Sequence, residues 1–115
     1  MRYIILHNPN CSTSRKGLDL LKEAGVEPEV RKYMNASERL SVDELKDIAK
    51  KMGGVSPRAF LRAKDAPAAG IDPATGDAAI FEAMAENPKL IQRPIGIRGK
   101  KAILGRPPED LLKLV

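Results

Sequence analysis

The sequence predicts a single α/β domain over residues 1–115, ordered β-α-β, then a helical insert over about 41–87, then β-β-α. Three observations carry this expectation. An apolar strand-like run, an amphipathic helical stripe and a second extended run follow one another within about 30 residues, the pattern of a βαβ unit. A capping box then opens a stretch with helical periodicity. Finally, two β-branched runs flank a glycine turn near the C-terminus, which reads as a hairpin.

The elements follow in order. Tyr3-Ile4-Ile5-Leu6 is short, apolar and β-branched, and it stops at the turn signal Asn8-Pro9-Asn10, so it reads as a buried strand. Leu18, Leu21 and Ala24 give the apolar stripe of a helix from about Ser12 to Ala24, with Gly25 where a C-terminal cap belongs. Pro28 to Tyr33 reads as the second strand. Ser41-Val42-Asp43-Glu44 is the capping box, and Leu45, Ile48, Ala49 and Met52 follow at helical spacing until Gly53-Gly54. Ser56-Pro57 predicts a further helix start, with Arg58 and Arg62 four apart and so on one face. Residues 65–76, rich in Ala, Pro, Gly and Asp, read as a loop. Ile80, Phe81 and Met84 mark a helix from Asp77 to Glu86, ended by Asn87-Pro88. Ile95-Gly96-Ile97 and Ala102-Ile103-Leu104 form the hairpin about Gly99, and Glu109 to Leu114 closes the chain as a short helix.

Composition narrows the function classes. Hydrophobic residues make up 43% and charged residues 30%, which is globular and not disordered. One Cys allows no intrachain disulfide and no CxxC pair, and one Cys with one His cannot supply a four-ligand zinc site, so no metal is expected. No apolar run is long enough to span a membrane. The N-terminal stretch does not read as a secretory leader, so the expected location is the cytoplasm, where a lone thiol stays reduced. The net charge of +5 suits a polyanion or a small oxyanion. Aromatic residues total only 3% and sit in apolar contexts, so nothing supports nucleic-acid binding. A monomer is the default expectation.

The chemistry-bearing stretch is His7-Asn8-Pro9-Asn10-Cys11-Ser12-Thr13-Ser14-Arg15. Cys11 falls between a strand end and a helix start, where unpaired N–H groups and the helix dipole favour an anion. A thiolate is such an anion, so the thiol pKa is expected to fall. Arg15 and a protonated His7 are expected to lower it further, with Ser12, Thr13 and Ser14 as hydroxyl donors. A buried cysteine is ordinarily inert, but such a residue is embedded among apolar neighbours, and this one lies among Asn, Pro, Ser and Thr. Arg62, Arg93 and Arg106 stand next to structure breakers, and a guanidinium presents a fixed charge and a planar fork suited to tetrahedral oxyanions. Taken singly, each is an ordinary solvated charge. The phosphatase Cys-x5-Arg loop, Walker A and GxGxxG motifs are all absent.

His7-Asn8-Pro9-x-Cys11-x-x-Ser14-Arg15 resembles the signature of the bacterial glutaredoxin-linked arsenate reductases. Arg58-Ala59-Phe60-Leu61-Arg62, Leu90-Ile91-Gln92-Arg93-Pro94-Ile95 and Leu104-Gly105-Arg106-Pro107 resemble that family's other landmarks, in order, across essentially the whole chain. The resemblance implies a thioredoxin/glutaredoxin-like fold with a mixed four-stranded sheet. It implies Cys11 as nucleophile, tuned by His7 and supported by Ser14 and Arg15, and Arg62, Arg93 and Arg106 as the oxyanion-binding set. Arg58 becomes a bystander, and Pro94 matches the family's cis-proline. The implied reaction takes arsenate to arsenite with glutathione as co-substrate, glutaredoxin as protein partner and no bound cofactor. Two alternatives remain open at this point. One is a glutathione-dependent thiol oxidoreductase acting on another substrate. The other is a non-enzymatic regulator resembling the Spx type, although the CxxC usual there is missing because Ser14 holds the fourth position.

Overall fold

The computed structural model describes all residues, 1–115. Strands β1 (Tyr3–Leu6), β2 (Glu29–Arg31), β3 (Ile95–Arg98) and β4 (Lys101–Leu104) form one sheet in the order β2-β1-β3-β4. β1 runs parallel to β2 and antiparallel to β3, and β3 pairs antiparallel with β4, so the sheet is mixed. This is the thioredoxin-like α/β arrangement. Helix α1 (Ser12–Glu23) makes the crossover between the parallel strands. α2 (Val42–Lys51) and α3 (Asp77–Glu86) lie between β2 and the hairpin.

β1 alternates between the two layers that cover it, because successive strand side chains point to opposite faces. Tyr3 and Ile5 pack with Leu21 of α1 and Leu111 of the closing helix. Leu6 belongs to the larger core with Leu45, Ile48, Ile80, Met84 and Ile95, and Ile4 packs against that core. Gly17 permits the α1 side to close. A Cβ there would lie 2.6 Å from Leu111 Cδ1 and 3.0 Å from Pro94 Cγ, so only a bare backbone approaches so near.

Local signals explain most boundaries. The Ser41 hydroxyl accepts the Glu44 N–H, and the Glu44 carboxylate accepts the Ser41 N–H, so the capping box forms in full. Gly25, at φ +82°, follows the end of α1, and the Val26 N–H returns to Leu21 O. Three readings are corrected. The second strand covers only Glu29–Arg31, leaving Tyr33 beyond it. The Ser56-Pro57 helix is one 3-10 turn, Pro57–Phe60, because Leu61 turns extended and bridges Ile91. Arg58 and Arg62 therefore share no helical face. The closing helix is 3-10 throughout, over Pro108–Leu114.

Candidate active site

Cys11 is the N-cap of α1, with extended backbone angles of φ −102° and ψ 122°. The preceding turn is fixed from within. Cys11 N–H donates to Asn8 O at 3.0 Å, and the Asn10 N–H donates to the Asn8 side-chain oxygen at 3.0 Å. Arg15 N–H donates to Cys11 O at 3.0 Å as the helix begins. The half-buried sulfur makes no conventional capping hydrogen bond. Burial opposes its ionisation, yet the N–H groups of Ser14 and Thr13 and the Arg93 guanidinium outweigh that cost. The thiol pKa therefore lies below its ordinary value.

His7 does not act as the expected cation. It is buried, at 5% exposure, and desolvation lowers its pKa, with the charges of Lys32, Arg15 and Lys22 acting in the same direction. Its Nδ1 lies 2.7 Å from Ser14 Oγ, which also accepts the Asn8 N–H at 3.0 Å. Ser14 is fully buried. Its hydroxyl and His7 Nδ1 share one hydrogen bond, whose direction follows the histidine tautomer. His7 and Ser14 thus brace the loop. Arg15 is also corrected: its guanidinium donates to Pro9 O at 2.9 Å on the exposed side, and its charge acts on His7.

The hairpin brings two of the three arginines to the sulfur. Ile95 pairs with Leu104, and the same register carried two residues further sets Arg93 opposite Arg106. The Gly105 N–H donates to Pro94 O at 2.8 Å, and Arg106 Nε donates to Arg93 O at 3.1 Å. Arg106 Nη2 reaches Cys11 Sγ at 3.9 Å. Arg93 is 5% exposed, and its Nη1 donates to Lys89 O and Ile91 O, while its Nε has no partner. Both Arg93–Pro94 and Arg106–Pro107 are cis.

Arg62 arrives by a separate route. The Arg62 N–H donates to Leu90 O at 2.7 Å and the Gln92 N–H to Phe60 O at 2.8 Å, on either side of the Leu61–Ile91 bridge. This clamps the Arg62 segment to the segment that carries Arg93. The Arg62 side chain pairs with Asp65 at 3.2 Å. Arg58 points elsewhere, donating to the carbonyls of Asp72 and Thr75.

Two residues beside the site were not singled out in the sequence. Tyr33 is fully buried, and its hydroxyl donates to Ile91 O at 3.2 Å, the carbonyl that Arg93 also uses. Burial pushes its pKa up to about 12, against the neighbouring Arg93 charge. Asp65 is the other. A tyrosine after two basic residues, or an acid three places after an arginine, gives no sequence signal of its own. No group of three His, Cys, Asp or Glu side chains is placed to hold a metal ion. No helix is long and apolar enough to cross a membrane. Chemically, the site offers a stabilised thiolate beside fixed positive charge, one guanidinium nitrogen of which is unpaired, which suits attack on a small anion.

Comparison with known proteins gives the family and the fold. The model of the ArsC family matches residues 6–114. An arsenate reductase of Haemophilus influenzae is 42% identical, covering 100% of both chains. An uncharacterized Escherichia coli K12 protein is also 42% identical, over 96% of this chain and 94% of its own. The solved arsenate reductase from Vibrio cholerae superposes with a TM-score of 0.90 at 42% identity, covering 100% of this chain and 98% of that one.

Proposed function

The chain belongs to the ArsC family, and from that premise we propose that it reduces arsenate to arsenite, with Cys11 as its one nucleophilic thiol. The observation that carries this reading is Cys11 Sγ at the N-cap of α1, within 3.9 Å of Arg106 and stabilised as an anion by Ser14 and Thr13 N–H groups and Arg93.

The Cys11 thiolate attacks arsenic, forming an S–As bond, while the As–O bond to an arsenate hydroxyl breaks and that hydroxyl takes a proton from solvent to leave as water. Arg93 and Arg106 hold the remaining oxygens and balance their charge. Arg62, clamped to the segment that carries Arg93, is the third arginine of the set. Glutathione thiolate then attacks the Cys11 sulfur. An S–S bond forms, the S–As bond breaks, and its electron pair stays on arsenic, which falls from As(V) to As(III) and departs as arsenite. A glutaredoxin thiol attacks the glutathione sulfur of the mixed disulfide and releases the Cys11 thiolate. Two electrons thus come from two external thiols, so a second cysteine in this chain is not needed. His7 and Ser14 keep the loop in shape, and Pro94 packs against Gly17 and Gly105 behind it. The chemistry fits a monomer in a reducing cytoplasm.

The test is a coupled assay with arsenate, glutathione, glutaredoxin, glutathione reductase and NADPH. Arsenate-dependent NADPH loss that vanishes in Cys11→Ser is the expected result. Loss of that dependence in the native chain, with Cys11 still glutathionylated, would assign another substrate.

A further inference from the structure

Beside Arg62 sits one carboxylate that the proposed reaction does not use. Asp65 Oδ2 lies 3.2 Å from Arg62 Nη1, and Asp65 Oδ1 lies 3.8 Å from Lys89 Nζ. The Asp65 side chain is 17% exposed and that of Arg62 27%. Although within ion-pair distance, Asp65 Oδ2 is buried and makes no hydrogen bond. The pair is therefore held by charge without the directional bonds that make an arginine–carboxylate contact strong. Its backbone is tethered nearby, with the Asp65 N–H on Arg62 O at 3.0 Å. A second cation, Lys89, already faces the other carboxylate oxygen. The Lys89 carbonyl in turn receives Arg93 Nη1 at 3.2 Å.

We propose that Asp65 is a built-in counter-anion that parks Arg62 until a substrate oxyanion displaces it, and so sets the oxyanion affinity of the site. This rests on the reading of Arg62 as an oxyanion ligand. An incoming dianion offers Arg62 two aligned acceptors, which Asp65 does not. The released carboxylate is not left unpaired, because Lys89 takes it. By linkage, whatever holds Arg62 away from the oxyanion lowers the apparent affinity for it. Asp65 is thus a positioning residue acting through Arg62, and it discriminates against anions too weakly charged to win the exchange.

The experiment measures protection of Cys11 from iodoacetamide by inorganic arsenate, without glutathione, in the native chain, Asp65→Asn, Arg62→Ala and the double variant. Thermal melting without anion checks that each is folded. Asp65→Asn is expected to lower the half-protecting arsenate concentration about two- to fivefold, the range of a partly exposed ion pair. The gain should vanish in the Arg62→Ala background, where nothing is left to release. A gain that persists there would mean that Asp65 acts only through the general field, and would overturn the proposal. Unchanged or weaker protection in Asp65→Asn would overturn it too, as would failure of arsenate to protect any of the four. Failure of the reductase reading alone looks different: arsenate still protects, but the coupled assay shows no turnover.

Discussion

Removing the Ser14 hydroxyl tests how the reactive loop is held. The Oγ is fully buried and serves two partners, accepting the Asn8 N–H at 3.0 Å and sharing a hydrogen bond with His7 Nδ1 at 2.7 Å. Asn8 and His7 are themselves 6% and 5% exposed, so water cannot replace what is lost. Each buried polar group left without a partner costs about 1–3 kcal/mol. Alanine is the better helix former by a few tenths of a kcal/mol, a small offset. Ser14→Ala should therefore cost about 2–5 kcal/mol. At roughly 4 °C per kcal/mol for a domain of this size, Tm falls by about 8–20 °C. Ser12→Ala, at an exposed position two residues earlier, is the control and should change stability by under about 0.5 kcal/mol. Urea unfolding and thermal melting both read the difference. A Ser14→Ala loss below about 0.5 kcal/mol would refute the bracing role, because both buried partners would then have been satisfied by other means.

Other expectations can be checked together. The folded-state pKa of His7 lies below its unfolded value, so the unfolded chain binds more protons as pH falls through about 6.5. Stability should therefore drop as pH falls from about 7, and His7→Gln should flatten that part of a pH series of urea midpoints. Arg93→Gln should raise the Cys11 pKa, read from the pH profile of iodoacetamide alkylation, because it removes a charge and a hydrogen bond from the thiolate. Arg58→Ala should leave that profile and the arsenate KM unchanged, since Arg58 donates only to the Asp72 and Thr75 carbonyls. Leu111→Ala should cost about 2–5 kcal/mol by denaturant titration, because Leu111 is fully buried between β1, Gly17 and Gly105.

Where local chemistry decides the backbone, it was legible in the sequence. The capping box at Ser41–Glu44, the Asp77–Glu86 helix and the hairpin about Gly99 each follow from neighbours within a few residues. The placement of Cys11 at a helix start was legible for the same reason. Tertiary competition explains the departures. Helical propensity after Pro57 loses to the Leu61–Ile91 bridge, which is a contact 30 residues away. A cationic His7 was reasonable from charge alone, but burial reverses it. The meeting of Arg93 and Arg106 was more legible than their separation suggests, because the hairpin register places them opposite each other. Arg62 has no such local rule, and neither do Tyr33 and Asp65. Each is brought in by the segment pairing of residues 60–62 with 90–92 or by packing against it.

The central claim is that arsenate drives chemistry at the Cys11 sulfur. The most direct measurement is the mass of the intact chain after incubation with glutathione, with and without arsenate, and without glutaredoxin. The account predicts a single glutathione adduct on Cys11 that forms only with arsenate and appears together with an equal amount of arsenite. Arsenite formed without that adduct, or an adduct formed equally fast without arsenate, would contradict it.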